Sequence, residues 1–207
     1  MKSDNNLRKI LETDRISALT DGIFAFSMTL LILSIAVPDI PRALAPSQLA
    51  GKLSEMLPMI GDFVLSFVLL ATFWNIHQKQ FKVIKNTDDK LTWLNILLLL
   101  AIVFMPFTTE ISSNYDNSTL AVSIFNIDLL IISIVYYAMW KYANKSKLID
   151  QELSTEDVNF SSTRLLIFIF VSLLALILGQ FFSSWCTAVY WIIPISFLYH
   201  RKKYKKI

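Results

Sequence analysis

The polar side chains that are the strongest candidates for chemistry lie inside long apolar stretches. Asp21 lies within residues 15–38, and Asp128 lies within residues 119–140, where few other charges occur. Because a carboxylate in hydrocarbon is costly unless it is paired or hydrated, such residues are candidates for binding a cation or a proton. The two histidines and the single cysteine, Cys186, form no cluster that is typical of a metal site.

The rest of the sequence lacks the residue combinations of an enzyme. It has no Ser/His/Asp set, phosphate-binding loop or pair of catalytic carboxylates, so we expect neither an enzyme nor a bound cofactor. Of its 207 residues, 55% are hydrophobic and 17% are charged, whereas a soluble domain carries about 25% charge. We therefore predict an integral membrane protein, in which the net charge of +3 reflects membrane topology and not nucleic-acid binding.

Apolar runs of membrane-spanning length recur along the whole chain. They predict an all-α polytopic fold in a single domain, residues 1–207, with six transmembrane helices at about residues 16–37, 58–76, 91–107, 119–140, 165–182 and 185–199. No repeat relates the two halves of the sequence, so an inverted-repeat architecture is not expected. The long, acid-containing segment before the first span argues against a cleavable signal peptide.

The distribution of lysine and arginine predicts the orientation of these helices. Of 19 such residues, all but Arg42 and Lys52 fall in the N-terminal segment, the second-to-third connection, the fourth-to-fifth connection or the C-terminal tail. Six spans place these four segments on one side of the membrane, which the positive-inside rule identifies as the cytoplasm. Both termini are therefore expected to be cytoplasmic.

Asp21 has two interpretations from its position near the cytoplasmic start of the first span. In one, Thr20 or Asp21 caps a helix that begins at Gly22. In the other, Asp21 joins a polar network with groups at the same depth on other helices, and Trp74 and His77 at the end of the second span are the candidates. Arg15 lies on the same side, but six residues separate it from Asp21 and place it about 120° away around a helix.

An apolar stripe follows in the same helix. Phe26, Thr29 or Leu30, and Leu33 recur at spacings of three and four residues and so share one face. Ordinary helix packing explains such a stripe, and so does the lining of a pore in which apolar rings remove water from an ion. The spacing alone leaves both explanations open.

Several motifs along the first three spans occur together in one known family. They are Arg15, Leu19-Thr20-Asp21-Gly22, Thr29-Leu30-Leu31 and Pro38 in the first span; Ser66-Phe67, Phe73-Trp74 and His77-Gln78 in the second; and Asn95, residues 97–100 and Phe104-Met105-Pro106-Phe107 in the third. In this combination the sequence resembles the bacterial and archaeal branch of the transmembrane protein 175 family of potassium channels. The resemblance covers residues 15–110, and beyond them only the hydropathy matches.

The resemblance implies a homotetramer of six-helix subunits in a prokaryotic plasma membrane, with the first helices around a central potassium-selective pore. Its partners would be a second copy of the chain, membrane lipid and potassium ions. The family lacks the Thr-Val-Gly-Tyr-Gly filter of other potassium channels, a motif that this sequence lacks as well. The implied pore constriction and selectivity residues are Phe26, Thr29, Leu30 and Leu33. The implied network supporting the pore helix comprises Arg15, Thr20, Asp21, Trp74 and His77.

Three positions depart from the family pattern. Leu19 stands where phenylalanine is usual, and Thr20 replaces serine while keeping a hydroxyl group. Phe26 replaces isoleucine or leucine at the implied constriction, where four phenyl rings would either close the pore more firmly or force the helices apart.

Asp128 supports an alternative function. An acid in the middle of a membrane helix is a candidate proton-coupling group, so one alternative is a proton-coupled secondary transporter that uses Asp128. The absent inverted repeat argues against it, and a hydrogen-bonded acid at a helix interface explains Asp128 without transport. A membrane scaffold that never conducts is the remaining alternative.

Overall fold

The protein is all-helical throughout the part of the chain that the structure, a computed structural model, describes: residues 2–41, 45–150, 155–182 and 186–193. Side-chain positions are described for residues 13–41, 47–150, 161–182 and 187–193. The α-helices are α1 (Lys2–Leu30), α2 (Ala45–Glu55), α3 (Leu57–Val83), α4 (Asp89–Asn114), α5 (Thr119–Lys145) and α6 (Thr155–Leu178), with 3₁₀ helices at Leu31–Ser34 and Cys186–Trp191.

Five helical segments are long and apolar enough to cross a membrane. They are Thr13–Ser34, Leu57–Val83, Asp89–Asn114, Thr119–Lys145 and Ser161–Leu178. These segments confirm the first five predicted spans and the all-α class. Of the sixth predicted span, 185–199, the structure describes residues 186–193, where a 3₁₀ helix spans Cys186–Trp191, and the rest lies outside the described residues.

The helices run further than the apolar stretches that predicted them. α3 continues seven residues past the predicted end at residue 76, and α5 continues to Lys145 instead of stopping at Trp140. Hydropathy marks only the part of a helix that lies in hydrocarbon, whereas lysine and other good helix formers extend the same helix into water.

The first span ends earlier than predicted. The sequence predicted helix to Val37, but regular α-helix stops at Leu30, a 3₁₀ turn spans Leu31–Ser34, and Ile35 is extended at φ −99° and ψ 99°. The β-branched Ile35 and the restriction that Pro38 imposes on Val37 both favour extended backbone here.

α2 was not predicted, because the sequence was searched for membrane spans and this segment is not apolar enough to be one. Its second residue is Pro46, a position that tolerates proline since the first helical turn lacks intrahelical N–H partners. Leu49 and Leu53, one turn apart, are both exposed, and Lys52 pairs with Glu55 at 2.8 Å. α2 therefore lies outside the core.

The core lies between the long helices, and α4 packs against α1, α3 and α5. An aromatic cluster joins α3, α5 and α6, with the ring centroids of Phe73 and Tyr136 5.6 Å apart and those of Phe73 and Phe168 5.0 Å apart. The Tyr136 hydroxyl donates to the Phe73 carbonyl at 2.8 Å. This bond satisfies the polar end of a fully buried tyrosine.

Three basic segments of the sequence meet at one end of the bundle. Ile84 and Ile149 form a single antiparallel bridge between the α3–α4 and α5–α6 connections. The hydroxyls of Thr13 and Thr87 lie 3.4 Å apart and join the beginning of the first span to the same end. The beginning of the first span and the α3–α4 and α5–α6 connections therefore lie at the same end of the bundle, as expected for segments that are separated by an even number of spans.

Candidate pore-lining helix

The first span, Thr13–Ser34, comprises the C-terminal part of α1 and the 3₁₀ helix that follows it, and it presents two different faces. One face, with Thr20, Phe24, Ser27 and Leu31, is buried against the other helices at 1% exposure or less. The opposite face is exposed and largely apolar. Within a single subunit, nothing in the described chain covers that second face.

Three of the four predicted pore residues share the exposed face. Phe26 is 59% exposed, Leu33 is 71% exposed, and Thr29 is exposed between them. Leu30 is half-buried, because consecutive residues are about 100° apart around a helix and Leu30 turns away from Thr29. The structure therefore brings Phe26, Thr29 and Leu33 onto one line and leaves Leu30 at its edge.

The Thr29 hydroxyl is oriented by the backbone of its own helix. Its Oγ1 donates to the Phe26 carbonyl oxygen at 2.7 Å. A hydroxyl has one hydrogen and two lone pairs, so this bond uses the donor and leaves acceptor capacity on the exposed side. The exposed face thus carries an oxygen acceptor between two apolar side chains, an arrangement that suits a cation better than an anion.

A buried relay of hydrogen bonds connects three helices behind that face. The Thr20 hydroxyl donates to the Ile16 carbonyl at 2.9 Å, and the Asn95 amide Nδ2 donates to Thr20 Oγ1 at 3.1 Å. Asn95 Oδ1 lies 2.9 Å from His77 Nε2. Because a carbonyl oxygen only accepts, this contact places the hydrogen of the neutral imidazole on Nε2. The relay links α1, α3 and α4 through side chains that are 1% exposed or less.

Asp21 forms a second, more exposed group on the flank of α1. Its Oδ1 accepts from Trp74 Nε1 at 2.8 Å and from the Gln78 amide. Both donors come from α3, so Asp21 fixes the angle between these two helices. Arg15 is exposed, and no hydrogen bond or ion pair joins it to a described side chain.

The structure thus divides the predicted network into two parts. Thr20 and His77 belong to the buried relay. Asp21 and Trp74 belong to the more exposed group on the flank of α1, and Arg15 belongs to neither. Two further members, Asn95 and Gln78, were missed as partners, although both are polar residues inside apolar spans. The capping alternative for Thr20 and Asp21 is wrong, because α1 is helical from residue 2 and passes through both.

Asp128 lies away from this group. It is 6% exposed on α5, and its carboxyl group contacts the Thr108 hydroxyl of α4 at 3.0 Å. In the described part of the chain, no group of three or more His, Cys, Asp or Glu side chains could hold a metal ion.

Comparison with known proteins decides the family. The profile of the family described as the endosomal/lysosomal potassium channel TMEM175 matches residues 15–106. A potassium channel of Chamaesiphon minutus is 32% identical over 152 residues, which cover 72% of this chain and 74% of that protein. This chain belongs to the TMEM175 family. The family comprises ion channels, so the prediction that the chain is not an enzyme is confirmed.

Two further comparisons extend the match beyond the first three spans. The crystal structure of a Chamaesiphon minutus homologue of the lysosomal potassium-selective channel TMEM175 superposes with a TM-score of 0.80 at 27% identity. The match covers 91% of this chain and 97% of that one. A Gallus gallus protein named endosomal/lysosomal proton channel TMEM175 is 24% identical over 188 residues, which cover 89% of this chain and 36% of that protein. The chain therefore shares the TMEM175 channel fold over nearly its whole length.

Proposed function

We propose that this chain is the subunit of a potassium-selective channel in a prokaryotic plasma membrane, with both termini in the cytoplasm. Four copies surround a central pore, each contributes the exposed face of α1, and potassium moves passively down its electrochemical gradient. Hydrophobic rings act in place of a carbonyl filter. Beyond the permeant potassium ion and membrane lipid, the function needs no cofactor.

The observation that carries this proposal is the uncovered line of Phe26, Thr29 and Leu33 on the first span. Lipid covers an exposed apolar face in most membrane helices, but lipid does not explain a threonine oriented as an acceptor between two apolar side chains. Assembly of four α1 helices turns each residue into a ring. The relatives named as potassium channels support a channel function, since one of them aligns with 72% of this chain.

The rings suggest how selectivity arises. Apolar side chains at the level of Phe26 and Leu33 offer no substitute for water, so an ion that passes must shed part of its hydration shell. Potassium sheds water at lower cost than sodium because its larger radius gives a weaker hydration field. The Thr29 oxygens compensate this loss partially, and we infer that they favour the ion that needs the least compensation.

Flux from liposomes tests the proposal. Purified protein is reconstituted, potassium and sodium efflux are measured separately, and wild type is compared with Thr29→Ala and Thr72→Ala. Thr72 is the matched control, because its hydroxyl donates to the Val68 carbonyl at 2.7 Å on α3 and removal makes the same chemical change. We expect the potassium-to-sodium ratio to fall in Thr29→Ala and to stay at the wild-type value in Thr72→Ala. Equal ratios in all three proteins contradict a role for the ring.

Proton permeation is a second candidate, which the name of the Gallus gallus relative favours. A pH-sensitive dye inside liposomes with equal potassium on both sides and an acidic external solution distinguishes it, because a proton channel acidifies the lumen under these conditions and a potassium-selective channel does not. A proton-coupled transporter at Asp128 requires saturable potassium movement that Asp128→Asn abolishes. A non-conducting scaffold gives no flux of either ion.

A further inference from the structure

The acid at position 128 occupies a site that the pore proposal does not use. Asp128 lies nine residues from Thr119, where α5 begins, which places it about 13 Å along the helix and inside the hydrocarbon region. It is 6% exposed and faces α4. It is therefore a buried titratable group within one subunit, separate from the exposed face of α1.

Three oxygen atoms meet at this site. Thr108 Oγ1 lies 3.0 Å from the Met105 carbonyl oxygen and 3.0 Å from Asp128 Oδ2. The first contact is the usual bond of a helical threonine to the carbonyl three residues earlier. The second crosses from α4 to α5. Both distances are those of good hydrogen bonds.

The hydrogens at the site must be shared between these contacts. Thr108 has one hydroxyl hydrogen, and the Met105 oxygen can only accept. If the threonine donates to Met105, its contact with Asp128 is a hydrogen bond only when Oδ2 itself carries a hydrogen. If the threonine donates to Asp128 instead, the short contact with Met105 brings two acceptor oxygens together without a hydrogen between them.

The charges around the site lead to the same assignment. In the described chain Asp128 has no ion pair and no hydrogen-bond partner other than Thr108. The other charged side chains of α3, α4, α5 and the α6 span lie towards helix ends. They are Asp62 near the start of α3, where Ser113 bonds to it, and Lys79 and Lys82 near its end; Asp89 and Lys90 at the start of α4 and the exposed Glu110 near its end; Lys141 and Lys145 near the end of α5; and Arg164 near the start of the α6 span. An ionised carboxylate with one shared donor in hydrocarbon is very costly.

We infer that Asp128 is an internal proton-binding site in each subunit, where the acid holds its proton on Oδ2 and donates it to Thr108 Oγ1. The Thr108 hydroxyl passes its own hydrogen to Met105, so every hydrogen at the site has an acceptor. The site joins α4 to α5 as long as the proton is bound. This assignment concerns one subunit and holds whether or not α1 lines a pore.

Infrared spectroscopy of the reconstituted full-length protein tests the inference. A carboxylic acid has a C=O stretch well separated from the bands of an ionised carboxylate, and solvated acids are ionised at neutral pH. We expect a carboxylic-acid band in wild type that is absent from Asp128→Asn and retained in Asp62→Asn, the matched change in another membrane helix. A band that is unchanged in Asp128→Asn, or absent from wild type, overturns the assignment.

A second variant covers the case in which Asp128→Asn does not fold. Thr108→Val removes the acceptor of the acid hydrogen while nearly preserving side-chain size. If Asp128 donates to Thr108, the carboxylic-acid band shifts in frequency because its hydrogen bond is lost. A band at the wild-type frequency in Thr108→Val places the acid elsewhere and contradicts the proposal.

Discussion

Replacing Asn95 with leucine removes the central member of the buried relay without leaving a large cavity. Asn95 bonds to Thr20 at 3.1 Å and lies 2.9 Å from His77 Nε2, so the change removes two contacts between helices. Hydrogen bonds between membrane helices contribute on average about 0.6 kcal/mol each. The larger effect comes from the His77 N–H, because a buried donor without an acceptor costs about 1–3 kcal/mol.

The sum predicts that Asn95→Leu lowers the free energy of unfolding by about 2–4 kcal/mol. Denaturant titration in mixed micelles, followed by tryptophan fluorescence, measures it. Asn114→Leu is the control, since this asparagine belongs to the same helix but is exposed and bonds only to the Glu110 carbonyl. There we expect a change within about 0.5 kcal/mol.

A double mutant tests the reasoning behind the magnitude. In a His77→Phe background no imidazole donor is stranded, so adding Asn95→Leu should cost only about 0.6 kcal/mol, the loss of the Thr20 bond. The phenyl ring can stack on Phe81 as the imidazole does, at a centroid distance of 4.1 Å. If Asn95→Leu costs the same with His77 present and absent, the stranded donor is not the cause and the account of the relay is wrong.

Two further predictions use matched pairs of variants. Asp88→Ala should lower the free energy of unfolding by about 1–3 kcal/mol, because the carboxylate caps α4 at the Leu91 N–H, 2.8 Å away, and accepts from the Tyr142 hydroxyl at 2.6 Å. Asp89→Ala should cost less than about 1 kcal/mol since it loses only a helix-dipole interaction. Equal costs in denaturant titrations contradict the role of Asp88. Phe26→Asn should raise potassium efflux from liposomes because it hydrates the constriction, and Phe104→Asn, which alters a similarly exposed phenylalanine on α4, should not. Efflux that Phe26→Asn leaves unchanged locates the constriction elsewhere.

Hydropathy was sufficient to find the spans that the structure describes, because a run of about twenty apolar residues matches the thickness of the hydrocarbon core and is rare outside membrane helices. It could not find where each helix ends. The extension of α3 to Val83 depends on helix propensity in water, and the early end of α1 at Leu30 depends on local backbone preferences around Ile35 and Pro38. Neither effect changes the hydropathy of the span.

The candidate site was predictable in its residue types but not in its pairings. Thr20, Asp21, Trp74 and His77 stand out as polar groups at the ends of apolar helices. Which of them meet depends on how α1, α3 and α4 are rotated against one another, and a single sequence does not encode that rotation locally. Asn95 therefore emerged as the bridge only once the helices were packed.

Chemical modification of one introduced cysteine on the first span shows whether ions pass along its exposed face. In a Cys186→Ser background, Leu33→Cys introduces a thiol at a position that is 71% exposed in the 3₁₀ helix at the end of the first span, and Leu100→Cys introduces one at a position that is 65% exposed on α4. A water-soluble, positively charged thiol reagent should reduce potassium efflux through the Leu33→Cys protein and leave the Leu100→Cys protein unaffected, since only the first position faces the proposed pore. Efflux through Leu33→Cys that the reagent leaves unchanged would contradict a conduction path along α1.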